Sequence, residues 1–468
     1  MNGVKKFMYL FVLLSAFIAC KDDDDNKITK EEELTLRVNQ FIHDEMSTFY
    51  LWNEEMPNID YQKEKNTIDY FNKLLFAKDS FSIITDDAQG LIESLNNTNE
   101  TFGYSLAYYG VGDNKYCAVV KYVYPGSPAE GKLKRGDIIL KINYSYITED
   151  NIDKLTQNGT IYLSKGILEE MNIKDDNNAP ITLTSKKMET NPILINKVIE
   201  KGNHKIGYLM YTDFTANFNN SLEEAFNDFK TRGITDLVLD LRYNHGGDDE
   251  ASIVMCSAIA PKDKAINGAV LSHEKWNSQC QKVFESDSRY NEQIHRYFRQ
   301  VDCNLDLPKK RVYILTTRET ISASEYVAIC LKPFMEVILV GTKTYGKHTT
   351  MMLMQPAKED ENGKMVADEE LSNWLIAPVV SRYTNTEGKP DFAGGMEPDY
   401  EVKDQLLPPT TSTLGDESEP LLAKAIELIT GENRRTPRRA MQSTPNWKPI
   451  EMPLNDIRSN RIIYKYIK

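Results

Sequence analysis

Cysteine is scarce and irregularly placed in this chain, with six among 468 residues. Setting Cys20 aside leaves Cys117, Cys256, Cys280, Cys303 and Cys330. Their odd number and uneven spacing exclude a disulfide framework and a zinc-ligand pattern. Cys280 and Cys303 are one pair that an oxidising envelope could join. Positive charge is also short: 56 Lys and Arg stand against 69 Asp and Glu, a net charge of −13 with no basic stripe. Nucleic acid is therefore not an expected partner, and the charge reads chiefly as solubility. No internal repeat and no G-x-S-x-G elbow occur. "HEKWN" from His273 has the first half of a zinc-protease motif, but Asn277 stands where the second His is required, so no metal is expected.

Long apolar runs are lacking too. "FMYLFVLLSAFIA" near the start is too short to span a bilayer comfortably. Behind the basic "MNGVKK" it reads as a secretory signal over residues 1–19, which is excluded from the fold. It ends in "FIAC", which resembles a bacterial lipoprotein cleavage box, with Phe17 where Leu is usual. The resemblance implies cleavage before Cys20, lipidation of its thiol and a lipid anchor in the bacterial cell envelope. The expected location is periplasmic or at the cell surface, on the outer membrane. "KDDDDNK" reads as a solvated spacer, so residues 20–32 form a tether. Similar acidic stretches also mark surface-displayed lipoproteins.

The length allows two to four domains. Residues 33–98 show apolar residues at helical spacing ("TLRVNQFIHDEMSTFYLW", "TIDYFNKLLF"), so a small helical domain without evident chemistry is expected. Residues 99–190 read as short strands. Their Pro125-Gly126-Ser127-Pro128-Ala129-Glu130, Leu133 and Gly136-Asp137-Ile138-Ile139 resemble a PDZ domain. A turn of helix near Ala129 is expected before the Gly-Asp turn. Phe102, Gly103, Tyr104, Ser105 and Leu106 would hold a chain-terminal carboxylate on backbone N–H groups while the peptide adds to a sheet edge. Use of the domain as an internal lid is the other reading. Residues 191–430 alternate buried strands with helices, an α/β layer pattern. Residues 431–468, with Arg434, Arg435, Arg438 and Arg439, read as a basic, polar, loosely held tail.

"GTKTYGKHT" spells most of a phosphate-binding loop, but His348 follows the Lys where a hydroxyl is required. The continuation is β-leaning, so a nucleotide site is not favoured. Lys347 has another use. "RVYILTT" leads through a tight turn into the helix "SASEYVAICL", with Ser322 at the tip. If that strand neighbours "EVILVG", Ser322 and Lys347 project into one crevice at the strands' C-terminal ends. Burial favours the uncharged amine, which can then accept the hydroxyl proton. Serine with lysine is an established alternative to serine with histidine. "DLRYNHGG" ends a strand with two glycines, so Gly246 or Gly247 with Ala323 would give converging N–H donors for an oxyanion. Asp240 and Arg242 read as a structural pair, and His245 as a loop residue without evident partner.

"DLRYNHGG", "TISASEY" and "GTKTYGK", in this order behind a PDZ-like region, resemble the carboxyl-terminal processing and tricorn-related serine peptidases. "AGGMEPDYEV" resembles the same family, and "YLW" and "DSFSIITDD" resemble its envelope-lipoprotein members. The resemblance covers residues 35–405. It implies a multidomain α+β protein with a crotonase/ClpP-like core, acting without cofactor or metal on polypeptides engaged through their C-termini. Ser322 would be the nucleophile and Lys347 the general base; Ser324 would cap the helix. The family usually has Gly after the Lys and Gln four positions beyond it, where this chain has His348 and Met351. His348, Thr349 or Thr350 would then orient the amine, or His348 would itself be the base. Alternatively the protein binds peptides with weak or no hydrolysis.

Overall fold

The apolar runs inside "DLVLD" and "RVYILT" lack polar alternation because both strands lie mid-sheet with helices over each face. The computed structural model describes residues 28–169, 172–389, 392–409, 411–432 and 447–450, and the backbone of 464–466. The expected signal sequence, Cys20 and most of the tail lie outside the described residues.

Three N-terminal helices come first: α1 (Lys30–Phe49), α2 (Thr67–Leu74) and α3 (Ala88–Leu95). α1 begins at Lys30 because Thr29 and Glu32 form a reciprocal capping box. These helices share their core with the rest of the chain. Ile42, Met46, Tyr70 and Phe71 pack with Trp276, Met352 and Val380.

Next is an antiparallel sheet built on β1 (Tyr104–Gly112), β2 (Lys115–Val123), β3 (Ile138–Ile142) and β4 (Thr160–Glu169), adjacent in that order. No helix forms near Ala129. The chain instead makes successive tight turns, with Glu130 N–H donating to Ser127 O at 3.1 Å and Leu133 N–H to Ala129 O at 3.0 Å. Gly126 and Gly131, at φ of 74° and 72°, bracket the segment in the left-handed region, which stops a helix from propagating.

Then follow β5 (Ile193–Lys201), β6 (His204–Tyr211), β7 (Asp236–Asp240), β8 (Val270–Trp276), β9 (Arg311–Thr316), β10 (Glu336–Gly341), β11 (Thr349–Leu353), β12 (Val379–Asn385) and β13 (Tyr400–Glu401). A six-stranded sheet has the order β5-β6-β7-β9-β10-β13 and is parallel apart from the β5–β6 hairpin. Helices α4 (Asn219–Arg232), α5 (Asp249–Ile259) and α6 (Ala323–Leu331) cover one face, and α7 (Pro420–Thr430) covers the other. A second sheet places β12 between β8 and β11, and the N-terminal helices pack on it. Cys280 and Cys303 do not pair: they sit in different cores, and Cys280 Sγ donates to Thr48 O at 3.2 Å.

Arg242, fully buried just beyond β7, ties the layers together. Its guanidinium donates to Asp240, to both carboxylate oxygens of Glu419 on the α7 side (2.7 and 2.8 Å), and to Asp404 at 3.1 Å. Asp404 also accepts from Arg135, from the β2–β3 connection, at 2.7 Å. The expected Asp240–Arg242 pair is thus the centre of a larger buried network. Removing its cation strands buried carboxylates, so Arg242→Met is expected to lower the unfolding free energy by about 3–5 kcal/mol in urea melts.

Candidate functional site

β9 and β10 are parallel neighbours, with Thr316 opposite Gly341. Their C-terminal loops therefore leave the sheet side by side, as the sequence required for Ser322 and Lys347 to meet. Tyr345 N–H donates to Thr320 O at 3.1 Å and Thr342 N–H to Thr316 O at 2.9 Å, stitching one loop to the other.

A buried carboxylate closes the arrangement. Glu325 Oε2 accepts from the N–H groups of Ser322 and Lys347, both at 2.9 Å. Its Oε1 accepts from Thr344 Oγ1 at 2.6 Å and Gly346 N–H at 2.7 Å. On another side the Tyr383 hydroxyl lies 3.2 Å from Ser322 O and 3.0 Å from Lys347 O. The two residues named from the sequence are thus held through their backbones by the same two side chains. Both are fully buried. Burial drives the Glu325 carboxyl up to about 7 against the pull of its four donors.

Ser322 has φ of 60° and ψ of −114°, outside the ordinary regions for a side-chain-bearing residue. It is the N-cap residue of α6, a place the sequence had assigned to Ser324. Ser324 Oγ instead donates toward Asn244, at 2.8 Å from Oδ1 and 3.0 Å from the carbonyl oxygen, pinning the glycine loop against the helix.

That loop distinguishes the two glycines. A Cβ on Gly246 would lie 2.8 Å from Ser322 Cβ and 3.0 Å from Ala323 N, so only glycine lets the loop approach this closely. Gly246 donates its own N–H to Asn244 Oδ1 at 2.8 Å. The Gly246 N–H is thus engaged, whereas Ala323 is the first residue of α6, where helix N–H groups lack intrahelical acceptors.

The Lys347 amine has surroundings that the sequence did not indicate. Nζ lies 3.3 Å from Met351 Sδ and 4.9 Å from the centre of the Phe81 ring. Phe81 comes from the N-terminal region expected to carry no chemistry. Thr349 and Thr350, named as orienters of the amine, do not serve: neither hydroxyl has a hydrogen-bond partner among the described residues. The His348 ring packs against Phe392, centroids 5.6 Å apart.

His245 does have a partner: its Nε2 lies 3.0 Å from Glu319 Oε2, and Glu319 also pairs with the buried Lys121 of β2. Burial alone would raise the Glu319 carboxyl, but Lys121 and His245 bring it down to about 2. A carboxyl depressed on folding contributes stability above its unfolded value and loses it as pH falls toward the folded one. Lys121→Met is therefore expected to flatten the acid limb of stability, between about pH 4 and 2.5, in pH-dependent urea melts.

A cleft of about 440 Å³ opens between the antiparallel sheet and these loops, lined by Phe102, Tyr104, Leu106, His245, Ile321 and Tyr345 among others. The expected carboxylate loop differs in detail. Gly103 N–H donates to Thr101 Oγ1 at 3.0 Å, and Gly103 O accepts from Tyr124 N–H at 2.8 Å, so this backbone is already engaged. Phe102 is buried, its ring stacked on Tyr104, and Ser105 and Leu106 lie within β1.

Glu325 is the site residue that sequence reasoning passed over, although S-x-x-E across a helix start is a legible capping signal. Glu325→Gln puts an amide NH₂ against N–H donors. It is expected to lower the unfolding free energy by at least about 2 kcal/mol in urea melts; no change would make the clamp dispensable.

The profile of peptidase family S41 matches residues 205–402, and that of the S41 N-terminal domain matches residues 37–83. The two together span more than half of the chain. The chain is 27% identical over 235 residues to the carboxyl-terminal-processing protease of Picosynechococcus sp., covering 49% of this chain and 51% of that one. It is 25% identical over 365 residues to the carboxy-terminal processing protease CtpA of Bacillus subtilis, covering 74% and 70%. It therefore spans about half to seven tenths of the length of these relatives. A crystal structure of an S41-type protein from Bacteroides fragilis superposes with a TM-score of 0.62 at 26% identity, covering 88% of this chain and 99% of that one. With both profiles falling on the segments that build the site, the chain belongs to peptidase family S41, a mixed α+β multidomain fold.

Proposed function

We propose that this protein is a serine endopeptidase of the carboxyl-terminal processing type, working through a serine–lysine dyad. The observation that carries the reading is the shared clamp: Glu325 and Tyr383 hold the backbones of the buried Ser322 and Lys347 together. Ser322 Oγ attacks the scissile carbonyl as the Lys347 amine takes its proton. The oxyanion that forms is received by the N–H groups of Gly247 and Ala323. Lys347 then returns the proton to the leaving amine, and water hydrolyses the acyl-enzyme by the same route.

The base must be uncharged. The Phe81 ring face favours the ammonium by roughly 0.5–2 kcal/mol. Full burial opposes it, because the ammonium loses its hydration there. Met351 Sδ beside Nζ is a weak acceptor and adds no charge that would restore the ammonium.

The antiparallel sheet is read as a PDZ-type module that offers its β1 edge to an extended polypeptide. The six-stranded α/β layer is read as the crotonase/ClpP-like core. The substrate is a polypeptide that enters the cleft by its C-terminus. The "FIAC" box supports a lipid-anchored protein of the bacterial envelope, on the outer membrane.

The test is digestion of a denatured protein by the wild type beside Ser322→Ala and Lys347→Ala, with cleavage products mapped. Both variants are expected to lose at least about 10³-fold in kcat while keeping wild-type melting curves. Retained cleavage by Lys347→Ala would transfer the base role to His348. A folded wild type with no turnover would favour the peptide-binding reading, which Met351 in place of the family's usual Gln supports.

A further inference from the structure

The tail after residue 431 reads in the sequence as a loosely held extension, yet two of its segments pair with sheets, and one of these sheets lines the cleft. Lys448–Ile450 (β14) lies antiparallel on β1, with Lys448 opposite Gly110, Pro449 opposite Tyr109 and Ile450 opposite Tyr108. The backbone of Tyr464–Tyr466 (β15) runs parallel to β11, with Met351 opposite Tyr464, two residues into the strand that follows Lys347. We propose that the β14 segment is a built-in competitor: it occupies in cis the sheet edge that an incoming polypeptide would use. For its effect on turnover this rests on the peptidase reading above; for its effect on binding it does not.

Position, direction and hold all support this. β1 is paired on its other side with β2, so the edge taken by β14 is the one that β1 offers to a further strand. Being antiparallel, β14 runs toward the Phe102–Tyr104 end of β1, the course needed to bring a chain terminus to that end. Pro449 and Ile450 line the same cleft as His245, Ile321 and Tyr345, so a polypeptide laid along β1 would meet them.

The hold is specific but slight. The Trp447 ring lies 5.9 Å from that of Tyr109 and joins a small cluster with Leu406. Against this, three residues are paired where β1 and β2 are paired along nearly all of their nine, Pro449 has no N–H to donate, and Lys448 and Pro449 are exposed. Such a strand holds its place mainly through tethering, which sets an effective concentration on the order of millimolar. A long unfolded polypeptide can displace it by pairing with more of β1; a short or weakly matching peptide cannot.

The test uses the full chain. A fluorescent synthetic peptide copying residues 444–454 is titrated into the Ser322→Ala protein with and without Trp447→Ala and Ile450→Asp, thermal melts serving as the control for folding. Releasing the segment is expected to tighten the probe's Kd by about tenfold or more. Equal affinity in the two proteins, or no binding by either, overturns the proposal. With Ser322 restored, the double substitution is expected to lower KM for an unfolded polypeptide several-fold with kcat held. An unchanged or raised KM also overturns it. The binding arm needs no hydrolysis, so loss of the dyad assignment would leave it standing, and its own failure would leave the dyad untouched.

Discussion

The site depends on one buried carboxylate. Glu325 accepts from the backbone of the Ser322 turn with one oxygen and from the Lys347 loop with both. Without it two loops that leave neighbouring strands would keep only the Tyr383 bridge and the backbone stitches at their bases. Ser322 sits in a backbone conformation that costs on the order of 1–3 kcal/mol. That cost is tolerable because four hydrogen bonds to Glu325, together with Tyr383 on the carbonyl side, over-determine the geometry. The same close approach dictates Gly246, where any side chain would collide with Ser322 Cβ.

Around this clamp the site is assembled from distant parts of the chain. The N-terminal segment delivers Phe81 to the Lys347 amine, and its helices share a core with the strands on which Met351 and Tyr383 lie. The antiparallel sheet reaches the glycine loop through Lys121, Glu319 and His245. Arg242 and Asp404 bind the end of β7 to α7 and to Arg135. A displacement of the antiparallel sheet would therefore be felt at the loops carrying Gly247 and Ile321 through charged contacts as well as through packing. This gives a physical route by which occupancy of the β1 edge can bear on the site.

Much of this was legible because it rests on local signals. The parallel pairing of β9 with β10 follows from two short apolar runs with a helix between them. The adjacency of Ser322 and Lys347 then follows from the strand ends. Contacts set by side-chain direction in three dimensions were not legible. Nothing in "KDSFSIITDDA" says that Phe81 will face an amine some 260 residues away. That Asn244 Oδ1 takes the Gly246 N–H was likewise not legible. Thr349 and Thr350 looked suitable as orienters by type, but Met351 Sδ is the atom that lies beside Nζ. Composition likewise hid β14, because a basic, Pro-containing tail resembles an unstructured one until an open sheet edge is there to receive it.

The central claim is that a desolvated, uncharged Lys347 activates Ser322. Its most direct test is the rate at which a fluorophosphonate labels Ser322 as a function of pH, in the folded wild type and in Lys347→Ala. The account predicts labelling that rises through an apparent pKa well below the ordinary lysine value of about 10.4 and collapses in the variant. Labelling that is indifferent to Lys347, with both proteins folded, would contradict it.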